Sequence, residues 1–244
     1  MIEAGRVRID GMPAAKPATA VTVDAKLTVT GADERTWVSR GAHKLIGALD
    51  AFDVTVAGRR CLDAGASTGG FTQVLLDRGA AEVVAADVGY GQLAWPLRSD
   101  DRVVVLERTN VRTLTAEAIG GPVDLIVADL SFISLATVLP ALVSCASDDA
   151  DIVPMVKPQF EVGKARVGPG GVVSDPAVRA DAVLSVAQRA AELGWHAVDV
   201  TSSPLPGPSG NVEFFLRLRA QTDRPLLGEY LKHAVRRAIE EGPQ

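Results

Sequence analysis

Aromatic side chains make up only 5% of this 244-residue chain, and there are just two cysteines and three histidines. Cys61 and Cys145 both lie beside apolar residues and share no metal-ligand spacing. They read as small buried hydrophobes in a reducing compartment. His43, His196 and His233 are scattered, so no metal site is expected. Long apolar runs are missing too. The longest uncharged stretch, Leu130 to Ser147, contains Ser131, Ser134, Thr137 and Pro140 and has acidic residues at both ends. It reads as a loop and a buried helix rather than a membrane span. The N-terminus is polar and charged from Glu3 onward, without the pattern of a signal peptide. A cytoplasmic protein with no stable membrane association is expected. Basic charge is not in excess either. A net charge of −5 argues against wholesale coating of nucleic acid, though local basic patches can still bind RNA. Internal repeats are absent.

What is abundant is apolar residue, 47% of the chain, enough for one large domain with or without a small appendage. The strongest local signal is Leu62-Asp63-Ala64-Gly65-Ala66-Ser67-Thr68-Gly69-Gly70-Phe71. Cys61-Leu62 forms a short apolar approach, and Phe71, Val74, Leu75 and Arg78 follow at helical spacing. Strand, glycine turn and helix in that order open the ligand-binding half of a Rossmann-like domain. Gly65 permits a sharp turn, and Gly69-Gly70 are expected to let a ligand approach the helix N-terminus. A second apolar run, Val83 to Ala86, ends at Asp87, where a carboxylate can accept the hydroxyl protons of a ribose. The dinucleotide fingerprint G-x-G-x-x-G is not met. The loop reads D-x-G-x-x-x-G-G, with Asp63 placed to meet a positively charged amino-acid portion. S-adenosylmethionine carries such an ammonium and has no phosphate to cradle, and is the expected cofactor.

Further strands are expected at Val103–Leu106, Val123–Ala128, Asp151–Val156, Trp195–Thr201 and Glu213–Leu218. Their C-terminal ends deliver Asp129 and Lys157, in line with Asp63 and Asp87, and ligands of open parallel sheets lie beyond such ends. Asn110 falls where an adenine edge can be hydrogen-bonded, or is a turn asparagine. Helices are expected at 176–193 and from Leu226 to Glu240, where Lys232, Arg236 and Arg237 form a solvated face. Ser39 is the expected N-cap of a helix whose Leu45, Leu49 and Phe52 share one face. Read on its own, Lys44 in that helix is a solvated lysine, and Trp37 before it a packing anchor. Pro158 to Val173, with Lys164 and Arg166, reads either as a mobile lid or substrate contact, or as a plain connection. Pro204 to Asn211 is a proline-stiffened loop that positions Glu213. Near the N-terminus, Arg6 to Gly11 alternates charged and apolar residues and ends in a turn signal, and short strands are expected at Val21–Val23 and Leu27–Thr30.

The first of these segments resembles a known family. Gly5-Arg6-Val7-Arg8-Ile9-Asp10-Gly11, Lys16-Pro17 and Asp24-Ala25-Lys26-Leu27-Thr28-Val29 are similar to the strand half of an S4 RNA-binding domain. The two helices that precede those strands in an S4 domain have no counterpart after Met1, so a longer native protein or an upstream start is expected. Lys44, Asp129, Lys157 and Glu213, in that order, resemble the K-D-K-E tetrad of ribose 2′-O-methyltransferases. The local segments agree: Ser39 to Leu45, Asp129-Leu130-Ser131-Phe132 and Val156-Lys157-Pro158-Gln159-Phe160. With Arg35-Thr36-Trp37-Val38 and Gly163 to Gly171, the chain resembles the TlyA family, FtsJ-like rRNA 2′-O-methyltransferases also called haemolysins.

The resemblance implies a class I methyltransferase fold: a seven-stranded, mostly parallel sheet with helices on both faces, at 39–244. It implies a partial S4-like segment at 1–31 and a linker at 32–38. It also implies rRNA and ribosomal subunits as partners, with cytidines of 16S and 23S rRNA as targets. A ribose hydroxyl is a poor nucleophile that must lose its proton as it attacks. A lysine acts as that base only when burial or a neighbouring cation favours its neutral form. By resemblance Lys157 activates the hydroxyl, Lys44 and Asp129 orient it, and Glu213 holds the lysine. The implied cofactor contacts run from Asp63 through Gly65, Ala66, Ser67, Thr68, Gly69, Gly70 and Phe71 to Asp87, Asn110 and Asp129. Amino-group methylation goes with an N-P-P-aromatic segment, which Asp129-Leu130-Ser131-Phe132 lacks. Carbon-5 methylation needs a nucleophilic cysteine, and Cys145 lies in an apolar helix. Two other classes stand as alternatives: a membrane-lytic haemolysin, which calls for an amphipathic or long apolar segment, and a catalytically inactive RNA-binding assembly factor.

Overall fold

A computed structural model of the chain describes residues 2, 7–14, 16, 19–22, 24–29 and 36–243. The chain divides into two compact units, Met1–Trp37 and Val38–Gln244.

In the first unit, β1 (Val7–Ile9), β2 (Met12–Pro13) and β3 (Leu27–Val29) form an antiparallel sheet of order β2-β1-β3. Ile9 pairs with Met12, leaving Asp10-Gly11 as a two-residue turn. Both turn residues have positive φ, 48° and 83°, which is why the aspartate-glycine pair stands there. The Asp10 carboxylate accepts from the Lys26 backbone N–H at 2.8 Å and ties β3 to the hairpin. Val21 and Thr22, expected in a strand, are not in one; the strand lies instead at Met12–Pro13. Gly5, Arg6, Pro17, Val23, Thr30 and residues 32–35, which carried parts of the S4-like and linker readings, lie outside the described residues.

The second unit holds a seven-stranded sheet of β4 (Arg60–Ala64), β5 (Glu82–Ala86), β6 (Val103–Leu106), β7 (Val123–Ala128), β8 (Ala146–Val156), β9 (His196–Ser202) and β10 (Phe214–Arg219). Their order is β6-β5-β4-β7-β8-β10-β9. The first five are mutually parallel, and β10 runs antiparallel to both its neighbours. The helices are α1 (Gly41–Ala51), α2 (Gly70–Asp77), α3 (Trp95–Arg98), α4 (Leu135–Cys145), α5 (Pro158–Glu161), α6 (Pro176–Glu192) and α7 (Gly228–Glu240). Strand residues alternate between faces. Leu62 and Ala64 of β4 and Ile126 and Ala128 of β7 therefore join Leu139, Val186 and Val235 of α4, α6 and α7 in one core. The alternate residues Cys61, Leu125 and Val127 are equally buried outside that cluster, as are Leu45, Leu49, Val74 and Leu75 of α1 and α2. Near-continuous apolar strands are the mark of a parallel sheet covered on both faces.

Some local expectations change. Ser39 is not the cap of α1; Arg40 holds that position in a helical conformation with no side-chain cap bond. Pro158 to Val173 is built from α5 and two single 3₁₀ turns, Lys164–Arg166 and Pro169–Gly171. Its end is pinned by Asn211, whose side chain accepts from Val173 N at 2.9 Å and donates to Gly171 O at 2.8 Å. Cys61 and Cys145 are buried free thiols, and burial pushes the Cys61 thiol up to about 12.

Candidate active site

The parallel strands end nearly flush. Ala64 is level with Ala86 and with Ala128, and Ala86 with Leu106. The residues that follow therefore share one edge: Gly65 after β4, Asp87 after β5 and Asp129 after β7. Gly65 has φ 90°, and a Cβ on it would lie 2.6 Å from the Asp129 carbonyl oxygen. Only glycine permits both that conformation and that approach. Gly69 and Gly70 have a packing role as well. Their Cβ positions are taken by Leu93 and Leu97 beside Gly69, and by Ser39 Oγ beside Gly70. Both glycines make room for neighbouring side chains, and Gly70 also lines the cleft.

Two adjoining pockets of about 320 and 450 Å³ form one cleft along this edge. Gly65, Ser67, Asp129 and Ser131 line both. The first continues past Ala66, Thr68, Gly70 and Phe71 to Lys44, Lys157 and Glu213. The second continues past Asp87 and Asn110 to Leu130 and Phe132. Asp87 is held by two backbone donors, Ser67 N at 2.8 Å and Gly89 N at 2.7 Å. Each carboxylate oxygen keeps a further lone pair for a ribose hydroxyl. Asn110 lies on the same wall, its side-chain oxygen accepting from Arg112 N at 3.1 Å. It is thus a turn asparagine and a cleft residue at once.

Asp63 is set back from the cleft, wholly buried, rather than standing in it. One oxygen accepts from Thr72 Oγ at 2.7 Å; the other, Oδ1, is buried with no partner. Burial raises the carboxyl to about 7, the Thr72 hydrogen bond opposes this, and the charge of Asp129 adds to it. An orphaned carboxylate oxygen behind the turn suits a cationic group, as the amino-acid end of S-adenosylmethionine requires.

At the other end of the cleft stand two lysine–carboxylate pairs. Lys44, on α1, is 6% exposed and donates to Glu213 Oε2 at 2.5 Å. The reading of Lys44 as a solvated helix lysine is thereby overturned. Lys157, directly after β8 and 8% exposed, sits 2.6 Å from Asp129 Oδ1 and donates to Ser131 Oγ at 3.0 Å. Glu213 therefore holds Lys44, and Asp129 holds Lys157. Gly207 makes the first pairing possible, since a Cβ there would lie 2.8 Å from Glu213 Oε1.

Three features of this edge were not singled out from sequence. Ser131 bridges the two pockets. Phe132 is 91% exposed at φ 64°, its ring centroid 5.2 Å from that of Phe160. Glu161 clasps the start of α4, accepting from Leu135 N at 2.8 Å and Ser134 Oγ at 2.6 Å. Ser131 and Phe132 belong to the Asp129-Leu130-Ser131-Phe132 segment already noted, whose signal lay in its aspartate.

A 3-2-1-4-5-7-6 strand order with a cleft at the ends of its parallel strands defines a Rossmann-like class I methyltransferase. Residues 37–220 match the FtsJ-like methyltransferase family. Over 243 residues the chain is 76% identical to the 16S/23S rRNA (cytidine-2′-O)-methyltransferase TlyA of Mycobacterium tuberculosis, covering 100% of this chain and 91% of that protein. It is 37% identical to Hemolysin A of Brachyspira hyodysenteriae over 73% of this chain and 75% of that one. Among solved structures, a candidate hemolysin from Streptococcus thermophilus superimposes with a TM-score of 0.79 at 36% identity, covering 98% of this chain and 88% of that one. The chain belongs to the TlyA family of FtsJ-like, S-adenosylmethionine-dependent methyltransferases. No helix among the described residues is long and apolar enough to cross a membrane.

Proposed function

We propose that this chain methylates a ribose 2′-hydroxyl of rRNA, on cytidines as the name of its Mycobacterium tuberculosis relative states. The observation that carries the reading is the pair of lysine–carboxylate contacts, Lys44–Glu213 and Lys157–Asp129, in the cleft that also holds Asp87 and the Gly65–Thr68 turn. Bound S-adenosylmethionine brings an electrophilic methyl on a sulfonium. Asp87 would take the ribose hydroxyls of its adenosine and Asn110 the adenine edge, and the buried Asp63 carboxylate behind the turn would offer its charge to the ammonium. The Gly65 to Phe71 segment shapes the turn between them.

On the substrate side, Lys157 receives the proton of the 2′-hydroxyl as the oxygen attacks. Lys44, braced by Glu213, supplies positive charge for the developing alkoxide without leaving an unpaired cation in a buried place. Holding nucleophile and methyl in line supplies much of the rate. Support for RNA as the substrate includes the exposed Phe132 ring at the rim of the cleft, a face on which a base can stack. Residues 1–31 are read as an S4-like RNA-binding segment, 32–38 as a linker and 39–244 as the catalytic domain. Ribosomal subunits are the partners, met in the cytoplasm.

The test is transfer of labelled methyl from S-adenosylmethionine to ribosomal subunits. Label is expected in alkali-resistant dinucleotides, because a 2′-O-methyl group blocks cleavage at that position. Lys157→Ala is expected to lower the rate by about 10²–10⁴-fold, the usual contribution of a positioned base, with cofactor affinity retained. Label in alkali-labile nucleotides, or a variant as fast as the wild type, would reject the reading.

A further inference from the structure

An amine that acts as a base needs more than a hydrogen-bond partner; its lone pair has to point at the proton. A neutral lysine has two N–H bonds and one lone pair in a tetrahedral array, and a single acceptor fixes one N–H while leaving the other N–H and the lone pair free to exchange places. Lys44 has one described side-chain partner, Glu213. Lys157 donates one hydrogen bond, to Ser131 Oγ at 3.0 Å, and has the Asp129 Oδ1 charge 2.6 Å away as an ion pair. The Ser131 bond fixes one N–H, the carboxylate charge repels a lone pair, and the lone pair is left to the third direction.

Ser131 is placed for this by the local backbone. Phe132, the next residue, has φ 64°, a left-handed conformation that costs a non-glycine residue on the order of 1 kcal/mol. Such a residue persists where its surroundings hold it. Here the Phe160 ring packs on Phe132, and Glu161 grips Ser134 Oγ and Leu135 N just beyond it. Phe160 and Glu161 belong to α5, which begins immediately after Lys157. The segment bearing Ser131 and the segment bearing Lys157 are thus fastened at three places. No described residue accepts the Ser131 hydroxyl proton, and the residue is exposed in the cleft.

We propose that Ser131 is a positioning residue for the methyl transfer: its hydroxyl accepts one N–H of the Lys157 amine, the Asp129 charge draws the other, and the lone pair is left aimed at the ribose 2′-hydroxyl. The inference rests on Lys157 being the base. In the step, the 2′-O–H bond breaks and its proton joins the lone pair of neutral Lys157. The oxygen bonds to the methyl carbon, the carbon–sulfur pair returns to sulfur, and S-adenosylhomocysteine leaves. The ammonium so formed has three N–H bonds, one accepted by Ser131 and its charge paired with Asp129, and it later loses its proton to water.

The experiment compares steady-state methylation of ribosomal subunits by the full chain and by Ser131→Ala, Ser131→Thr and Lys157→Ala. Ser131→Ala is expected to lower kcat by about tenfold, the effect of one hydrogen bond to a charged group, with KM for S-adenosylmethionine and for subunits within twofold of wild type. Ser131→Thr, which keeps the hydroxyl, is expected to restore kcat to within about threefold. A Ser131→Ala enzyme with wild-type kcat overturns the inference. So does a loss confined to KM, or a threonine variant as slow as alanine. If Lys157→Ala is as active as the wild type, it is the role of Lys157 that fails, and the role of Ser131 fails with it. A Ser131→Ala enzyme with wild-type kcat beside an inactive Lys157→Ala removes Ser131 alone.

Discussion

Burial holds the Asp63 carboxyl protonated up to about pH 7. Its ordinary value is near 3.8, and burial lifts it to about 7 in the fold. Between those two values the folded chain holds a proton that the unfolded chain has lost. The contribution of this group to stability is therefore full below about pH 4 and declines as pH rises through about 7. Asp63→Asn mimics the protonated form permanently. Without cofactor, its urea midpoint is expected to match wild type near pH 3.5 and to exceed it by a margin that grows up to about pH 7. A difference that does not change with pH would contradict this account. The same substitution is expected to weaken S-adenosylmethionine binding, because the neutral amide offers no charge to the ammonium. Calorimetry near pH 6 is expected to show proton release on binding to wild type and none from this side chain in Asp63→Asn. An acidic residue beside a glycine turn is plain in the sequence; its complete burial and its Thr72 partner are not, because both depend on how α2 packs behind β4.

At the level of elements, the glycine turn carries a packing role that its motif does not announce. Gly69 has φ 98°, and a Cβ there would come within 2.3 Å of Leu97 Cδ1 and 2.8 Å of Leu93 Cδ1. Gly69→Ala is expected to destabilise the cofactor-free protein by about 1–3 kcal/mol through strain and overpacking, read as a lowered melting temperature. Destabilisation seen only with cofactor bound would instead favour a ligand-contact role. The parallel strands were legible because buried strands are continuous apolar runs, and their ends were legible because the runs stop at charged residues. The order of Lys44, Asp129, Lys157 and Glu213 was legible as a pattern, but their partnership was not. Lys44 and Glu213 lie 169 positions apart, and only the insertion of β10 beside β8 brings them together. In the segment from Pro158 to Val173 the distant contact is likewise not legible. Its glycines and prolines suggest freedom, while a distant residue, Asn211, supplies the bonds that fix its end.

On the scale of the whole molecule, every residue lining the cleft lies within Val38–Gln244. Val38 is itself tied to α2, its backbone N–H donating to Gln73 Oε1 at 2.8 Å. A chain beginning at residue 32 is expected to bind S-adenosylmethionine within about threefold of the full chain, measured by calorimetry, and to lose most transfer to ribosomal subunits. Undiminished transfer would remove the RNA-binding reading of residues 1–31. The topology carries one more consequence. β10 is the last strand in the chain, yet it lies between β8 and β9 and supplies Glu213 from its leading end. A chain emerging from the ribosome has Asp87 and both lysines by residue 157. The carboxylate partner of Lys44 comes only with β10, which enters between two strands made before it. The buried ion pair of Lys44 is therefore among the last contacts of the sheet that the growing chain can close.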